Sequence, residues 1–435
     1  MNSIFFGIVL VAFVFTGYRQ VVWNGEATDA VAPMQALATG MIEAAKSSVT
    51  LALGLIGVMA LFLGLMKVAE AGGLLVIIAR IVRPLMVRLF PDVPPEHPAM
   101  GAMIMNMSAN ALGLGNAATP FGIRAMQALD TLNPSKGTAS NAMALFLAIN
   151  TSSVTLLPTG VIALRASVGS ADPAGIVPTT LFATFCSTAV AIIAAKFYQR
   201  FSRSDAVTTT SDQTAVESNA TGSVDDESTI RTPQATAYPT WVSYLALFGI
   251  VALIPLAVIY GASVGPWIIP ALMLLMLSFG VIRGVRVYET FVEGAREGFE
   301  VAVRIIPYLV AILVAVGMLR ESGALDLITR ALGELTSAFG LPGEALPMAL
   351  LRPLSGSGAY GVLAATIQDP TIGPDSYVGY LVSTLQGSTE TTFYVMAVYF
   401  GAVQIRRVRH ALAAGLTADI AGIMGAVAAC SYLYA

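Results

Sequence analysis

The stretch TLQGSTETT at residues 384–392 decides the fold of this chain. It is a polar run with one carboxylate, Glu390, between two strongly apolar segments, Tyr377–Val382 and Phe393–Phe400. An earlier polar run, NTSSVT at residues 150–155, follows another apolar segment. If the flanking segments lie in lipid, each run breaks a helix at membrane depth, where unsatisfied backbone groups are costly. Such breaks mark solute pathways or binding sites.

Composition places the whole chain among membrane proteins. Of its 435 residues, 56% are hydrophobic and 11% are charged, and the mean hydropathy is +0.75. A soluble protein carries about 25% charged residues. The net charge of −3, without a basic stripe and interleaved aromatics, excludes nucleic acid as a partner. We therefore expect an all-α polytopic membrane protein whose main partner is the lipid bilayer.

A change of composition divides the chain into two membrane halves. Residues 202–240 are polar and acidic and contain almost no large aliphatic side chains, which is typical of a flexible linker. We predict a first membrane repeat at residues 1–201, the linker at 202–240 and a second membrane repeat at 241–435. Lys196 and Arg200 beside the linker favour the cytoplasmic side for it.

The two halves resemble each other in sequence. Glu70-Ala71-Gly72 matches Glu321-Ser322-Gly323, and further along the chain Asn106 falls opposite Ser355. Residues 150–153 then fall opposite residues 386–389. The alignment predicts two homologous repeats, each with broken or re-entrant helices.

Two further features of the repeats follow from charge patterns. Leu74–Leu89 and Gly323–Phe339 are expected to form interfacial amphipathic helices. On the simplest interpretation Arg19 and Arg283 are both cytoplasmic, which implies parallel repeats. One charge near the N-terminus is a weak basis, so the pattern leaves open whether the repeats are parallel or inverted.

Amides and hydroxyls near the breaks are suited to a polar solute or a dehydrated ion. For the stretch at residues 99–120, the alternative is that its small and polar residues only hold helices together. The candidates in the first half are Asn106, Ser108, Asn110, Asn116, Asn150, Thr151, Ser152 and Ser153. The candidates in the second half are Ser355, Ser357, Gln386, Ser388, Thr389, Glu390 and Thr391.

Glu390 is the strongest single candidate. An ionised carboxylate at the centre of a membrane costs at least ~2.5–3.5 kcal/mol, so it needs a reason to be there. It could bind a cation or carry a proton, and a coupling Na⁺ or H⁺ is the only cofactor-like partner we expect. The alternative is an ion pair with a buried arginine such as Arg352 or Arg165.

Other chemical signals are sparse. Asp419 is a weaker candidate, because Arg406 and Arg409 lie near it in sequence and an ion pair with one of them would explain it. We find no nucleophile near a histidine, no metal-ligand spacing and no phosphate loop. The sequence therefore predicts no catalytic residues, no metal site and no enzyme.

Several of these motifs resemble a known family. Residues 105–122, MNMSANALGLGNAATPFG, resemble spore maturation protein A, whereas RPLSGSGA at 352–359 and QGSTET at 386–391 resemble spore maturation protein B. Both belong to the nucleoside-recognition or gate-domain superfamily, which is similar to concentrative nucleoside transporters. The resemblance covers nearly the whole chain outside the linker. It implies a transporter-like fold in a bacterial inner membrane, but no substrate.

Two functions fit these observations. The first is a secondary transporter or permease that moves a small polar or ionic solute through a site between the repeats. The second is a non-transporting membrane scaffold for envelope or spore maturation factors, with the acidic linker as its docking segment. Homo-oligomerisation is compatible with both.

Overall fold

A computed structural model describes residues 2–23, 31–113, 115–202, 239–325 and 338–434, with single positions 327, 333 and 336. Every regular element that these residues form is helical. The first half contains α1 (Asn2–Val22), α2 (Pro33–Ala71), α3 (Leu74–Leu89), α4 (Pro98–Ala111), α5 (Gly115–Thr131), α6 (Asn141–Thr151), α7 (Thr159–Ser167) and α8 (Ile176–Gln199). The second half contains α9 (Thr240–Ile282), α10 (Val287–Glu321), α11 (Leu346–Leu351), α12 (Gly356–Gln368), α13 (Tyr377–Ser388), α14 (Thr392–Gly401) and α15 (Ala411–Tyr434).

The helices are those of a membrane protein. Four of them, α1, α2, α8 and α15, are long and apolar enough to cross a bilayer within the described part of the chain. A helix of 24 residues, such as α8, rises about 36 Å, which exceeds a hydrocarbon core of about 30 Å. The predicted linker lies almost wholly outside the described residues, as does most of the amphipathic segment expected at Gly323–Phe339. The other expected amphipathic helix is α3, which buries Leu75, Ala79 and Met86 and exposes Arg88.

Helices α2 and α10 occupy equivalent positions in the two repeats, and they pack antiparallel to each other. They contain 39 and 35 residues, and the glutamate triplets aligned in sequence lie at their C-terminal ends. Gly40 near the start of α2 contacts Glu321 at the end of α10, whereas Gly64 contacts Phe291 near the start of α10. Equivalent helices therefore run in opposite directions, so the repeats are inverted.

Two arginines explain why the charges alone suggested parallel repeats. The Arg19 guanidinium donates to the carbonyl oxygen of Ser322 at 2.8 Å, at the C-terminal end of α10. The Arg283 guanidinium donates to the carbonyl oxygen of Gly72 at 2.8 Å, at the C-terminal end of α2. Because α2 and α10 are antiparallel, these ends are opposite. The interpretation that placed Arg19 and Arg283 on one side is wrong.

The polar runs do break helices, as predicted. The run at 150–155 separates α6 from α7, and the run at 384–392 contains the end of α13 and the start of α14. Ser140 caps α6 and Ser376 caps α13, each accepting a backbone N–H three residues ahead. Each cap precedes the aligned polar residue by ten positions, from 140 to 150 and from 376 to 386. The same local structure is thus built twice.

The buried core joins the halves. One apolar cluster includes Met103 and Phe146 from the first half with Tyr399 from the second, and another includes Ile162 with Leu363. Each cluster draws on both repeats, so the repeats are interleaved in one core. The breaks are held inside this core.

Candidate functional site

The first hairpin is formed by α4 and α5, which pack antiparallel. Near its open end, His97 Nε2 and Thr131 Oγ1 are 3.4 Å apart, although they lie 34 positions apart in sequence. Nearer the tip, the Asn106 side chain donates to the carbonyl oxygen of Ala118 at 2.7 Å. The interruption after α4 is therefore a re-entrant turn, and Asn106 lies inside α4 rather than at the break.

The tip of this hairpin rests on the first break. The backbone N–H of Leu156 donates to the carbonyl oxygen of Ala111 at 3.0 Å. Gly113 has a φ of +76°, and a Cβ at this position would lie 2.7 Å from the carbonyl oxygen of Leu157. A glycine is required here both for the left-handed backbone and for the close approach.

This contact can be tested with a matched pair of substitutions. We expect Gly113→Ala to destabilise the protein by about 1–3 kcal/mol more than Gly137→Ala, because only the first forces a Cβ against a carbonyl oxygen. Gly137 has a φ of +77° with no atom within 4 Å of the added Cβ, so its substitution reports backbone strain alone. Melting temperatures of the two purified variants give the comparison. Equal losses of stability would mean that the tip does not rest tightly on the break.

The second hairpin is formed by α11 and α12, and its tip contacts the second break through Arg352, the residue after α11. Its Nε donates to the carbonyl oxygen of Gln386 at 3.1 Å, and its Nη1 donates to Thr391 Oγ1 at 3.0 Å. Its Nη2 lies 3.7 Å from Glu390 Oε2. The Arg352 side chain is 7% exposed and that of Glu390 is 51% exposed. The arginine is thus fixed by the break, and the alternative named from the sequence, an ion pair between Glu390 and a buried arginine, is present with Arg352, although Glu390 stays half exposed.

The two breaks also contact each other. The backbone N–H of Glu390 donates to the carbonyl oxygen of Thr151 at 2.8 Å. Beside this contact, the rings of Phe146 on α6 and Tyr399 on α14 stack with centroids 6.1 Å apart. The broken helix α6–α7 therefore runs antiparallel to the broken helix α13–α14, with the breaks at the crossing.

A network of amides links the first hairpin to this crossing. Asn110 donates to Asn150 Oδ1 at 3.0 Å, and Asn106 donates to the hydroxyl oxygen of Tyr399 at 3.1 Å. The Tyr399 hydroxyl lies 3.5 Å from Asn150 Oδ1, to which it donates. Asn106 and Asn150 are buried. Their role here is to hold the first hairpin against the breaks.

A cavity of about 420 Å³ opens where the breaks and hairpin tips meet. Its volume is within the range of small-molecule sites, about 300–1,000 Å³. Met59 of α2 and Leu309 of α10 close it on the side of the long helices. Its polar or charged lining residues are Asn110, Thr155, Thr159, Arg352, Ser357, Tyr360, Gln386 and Glu390. Both repeats therefore contribute to one site.

The remaining candidates divide by environment. Several hydroxyls donate to carbonyl oxygens of their own helix, which satisfies them without a ligand. These are Ser108, Thr151, Ser152 and Ser388. Ser355 caps α12, Thr391 accepts from Arg352, and Ser153 and Thr389 are buried. The side chain of Asn116 lies outside the described part of the chain.

Thr155, Thr159 and Tyr360 are lining residues that the sequence interpretation missed. Thr155 is the last residue of the first polar run and Thr159 begins α7, so extending the list of candidates from residue 153 to the start of α7 would have included both. Tyr360 lies in a long apolar segment, and its hydroxyl donates to the carbonyl oxygen of Gly160 at 3.1 Å. No local pattern points to a contact between residues 200 positions apart.

Asp419 does not pair with the basic cluster near it in sequence. Its Oδ2 accepts from Thr392 Oγ1 at 2.7 Å, and the residue is 3% exposed. Arg409 instead donates to Ser202 and to the carbonyl oxygen of Ala139. The expected ion pair is therefore wrong. Asp419 and Arg352 both line a void of about 10 Å³, room for about one water molecule.

Arg165 forms a second buried charge cluster between the repeats. It is fully buried on α7 and pairs with Asp375, ahead of α13, at 2.9 Å. Its guanidinium also donates to the carbonyl oxygen of Pro374 at 2.6 Å and to Ser383 Oγ at 3.3 Å. It lies over the Tyr380 ring, 4.2 Å from the centroid. Arg165 is thus not the partner of Glu390, and it fastens α7 to the start of α13.

Comparison with known proteins gives a consistent picture. The family model described as "Gate: Nucleoside recognition" matches residues 52–168 and 302–406. Spore maturation protein B of Bacillus subtilis (strain 168) is 47% identical over 166 residues, which cover 38% of this chain and 92% of that protein. Spore maturation protein A of the same organism is 46% identical over 165 residues, which cover 38% of this chain and 84% of that protein.

A more distant relative is inner membrane protein YjiG of Escherichia coli (strain K12). It is 35% identical over 80 residues, which cover 18% of this chain and 52% of that protein. No solved structure matches the chain significantly. None of these descriptions names an enzyme. The two regions matched by the family model coincide with the two repeats and include both breaks, which confirms the resemblance seen in the sequence.

Proposed function

The chain belongs to the gate family of nucleoside-recognition membrane proteins, and from this premise we propose that it is a secondary transporter or permease for a small polar or ionic solute. The observation that carries the proposal is the cavity of about 420 Å³ lined by both breaks and both hairpin tips. Transporters built from inverted repeats bind their solute where discontinuous helices meet between the repeats. No catalytic step is part of this function.

The arrangement suits movement of the solute from one side to the other. Each repeat contributes one hairpin tip that rests on its own break, at Gly113 and at Arg352. Because the repeats are inverted, opening one tip exposes the cavity towards one side, and opening the other exposes it towards the opposite side. Two tips related in this way are what alternating access needs.

Glu390 is the proposed place for the coupling ion. Its half-exposed carboxylate lines the cavity, and its ion pair with Arg352 is long at 3.7 Å. A Na⁺ or a proton bound there would neutralise it when Arg352 is engaged by Gln386 and Thr391. A cationic group of the solute is the alternative occupant. No resident cofactor is proposed.

The proposed location is the bacterial inner membrane, which the chain crosses several times. YjiG is itself described as an inner membrane protein. Arg406, Arg407 and Arg409 lie at one end of the molecule, whereas Asp369 and Asp375 lie at the other, which favours the arginine-rich end as cytoplasmic. The predicted linker leaves the first repeat at this end.

Ligand-dependent melting of the purified protein tests the proposed site. We expect one class among nucleosides, metal ions and small carboxylates to raise the melting temperature, since a ligand that binds only the folded state stabilises it. Ser357→Phe places an aromatic ring in the cavity and should abolish the shift, whereas Thr39→Phe on the exposed surface of α2 should retain it. A shift that survives Ser357→Phe would contradict binding in this cavity, and so would the lack of a shift with every class.

A further inference from the structure

A separate groove lies at the arginine-rich end of the molecule. Its volume is about 1,110 Å³, and it runs between residues 133–142, before and at the start of α6, and residues 404–409, before α15. Lys136, Arg406, Arg407 and Arg409 line it, with Asp92 as the carboxylate among its lining residues. None of these residues lines the transport cavity. The groove is strongly basic in an otherwise acidic protein of net charge −3.

The two walls of the groove are tied together. The backbone N–H groups of Arg406 and Arg407 both donate to the carbonyl oxygen of Gly137, at 2.9 and 3.0 Å. The backbone N–H of Ala139 donates back to the carbonyl oxygen of Arg407 at 2.9 Å. Gln404 and Arg409 have positive φ values of 56° and 51°, a conformation that costs free energy in a residue other than glycine. The wall that carries the arginines is therefore fixed.

Two of the four cationic side chains that line the groove already have partners within the protein. Lys136 pairs with Asp130 at 2.7 Å, and the Arg409 guanidinium is occupied by Ser202 and the carbonyl oxygen of Ala139. Arg406 and Arg407 are exposed, and within the described chain their guanidinium groups form no hydrogen bond or ion pair. The guanidinium donors of both arginines thus face the groove with no partner among the described residues.

Two neighbouring features set the charge of the groove. Burial and the adjacent Arg409 lower the pKa of His410 to about 4, so this histidine is neutral at neutral pH and adds no charge. Ser140, Asn141 and Ala142 at the start of α6 line the groove, and the N-terminal end of a helix carries about half a positive charge. The free positive charge therefore comes from Arg406, Arg407 and this helix end, which favours an anion.

We propose that this groove is a binding site for a phosphate group, carried by a phospholipid headgroup or by a small phosphate-bearing solute. The planar guanidinium groups of Arg406 and Arg407 match phosphate oxygens in pairs of parallel hydrogen bonds. The start of α6 supplies a further favourable field for the anion. A fixed wall lets the arginines meet the phosphate without first ordering the backbone. The site is independent of the transport cavity and of the solute that the cavity binds.

The test compares two double variants of the purified full chain in detergent. Arg406→Gln with Arg407→Gln removes the free guanidinium groups of the groove. Arg286→Gln with Arg296→Gln removes the same charge from exposed positions on and beside α10, outside the groove. Melting temperature and apparent Kd are measured with phosphatidylglycerol, phosphatidylcholine, inorganic phosphate and pyrophosphate. Melting without ligand shows whether each variant folds.

We expect the wild type and the Arg286/Arg296 variant to bind one or more of the anionic phosphate probes, and the Arg406/Arg407 variant to bind at least about tenfold more weakly. Stabilisation by phosphatidylglycerol alone identifies the headgroup as the source, whereas stabilisation by phosphate or pyrophosphate identifies a solute. If the glutamine pair fails to fold, Arg406→Lys with Arg407→Lys keeps the charge but loses the paired hydrogen bonds, and it should bind more weakly than wild type. No stabilisation by any probe, or equal losses in the groove and control variants, would overturn the proposal.

Discussion

Glu390→Gln is expected to abolish solute transport while the protein still folds and accumulates normally. The side chain is half exposed into the cavity and its one ion pair, to Arg352, is 3.7 Å long. A loose, partly exposed pair of this kind contributes at most about 1 kcal/mol to stability. The charge itself, in contrast, is what would hold a coupling ion or a cationic group in the cavity. Uptake into proteoliposomes of the solute identified by melting, with a melting curve of the variant, measures both effects.

Glu96→Gln is the matched control for this variant. Glu96 also forms one ion pair, with Arg83 at 3.0 Å, but it lies in an exposed loop away from the cavity. The Glu96→Gln variant should transport the solute normally. Suppose that the Glu390→Gln and Glu96→Gln variants both keep normal function in cells, and that deletion of residues 203–238 removes it. The protein would then act as a scaffold and not as a transporter.

Arg165→Met should produce the largest loss of stability among these variants, on the order of 3 kcal/mol, because a buried guanidinium with several hydrogen bonds is removed, although its partner Asp375 is 35% exposed. The arginine is fully buried and pairs with Asp375, so its removal leaves that carboxylate without its cation. The carbonyl oxygen of Pro374 and the hydroxyl of Ser383 lose a charged donor at the same time. Methionine fills much of the volume of the arginine side chain. The loss of stability therefore comes more from the missing polar interactions than from a cavity. The yield of folded protein and its melting temperature are the measurements.

Arg320→Met provides the comparison. Arg320 pairs with Asp369 at 2.8 Å, but its side chain is 41% exposed, so the pair is screened by solvent. This substitution should cost less than about 1 kcal/mol. Losses of similar size for Arg165→Met and Arg320→Met would show that the buried cluster does not fasten the two repeats together.

The broken helices could be predicted from the sequence because each is a local event. The run at 150–155 is polar beside apolar segments, and Ser140 caps the helix that precedes it as Ser376 does in the second repeat. The cap, the helix and the break together span about fifteen residues, and the side chains of that short stretch determine its local structure. That Glu390 lies in the second break could be predicted for the same reason.

The relation between the repeats could not be predicted in this way. Helix direction in a membrane is inferred from the charges at its ends, and the one charge near the end of α1, Arg19, is bound to the carbonyl oxygen of Ser322 rather than placed by a sidedness rule. Asp419 shows the same limit at shorter range. It lies near arginines in sequence, but its partner Thr392 is 27 positions earlier, on a neighbouring helix. Contacts of this kind depend on how the helices pack.

The antiparallel packing of α2 against α10 also constrains how such a protein is made. The two halves must enter the membrane in opposite orientations, and they are needed in equal numbers, because each supplies one hairpin tip and one break. Two separately synthesised halves would have to meet both conditions by balanced expression and correct insertion of each. In this single chain the ribosome sets the ratio at one to one, and the orientation of the first half dictates that of the second. Fusion therefore removes two ways in which assembly could fail.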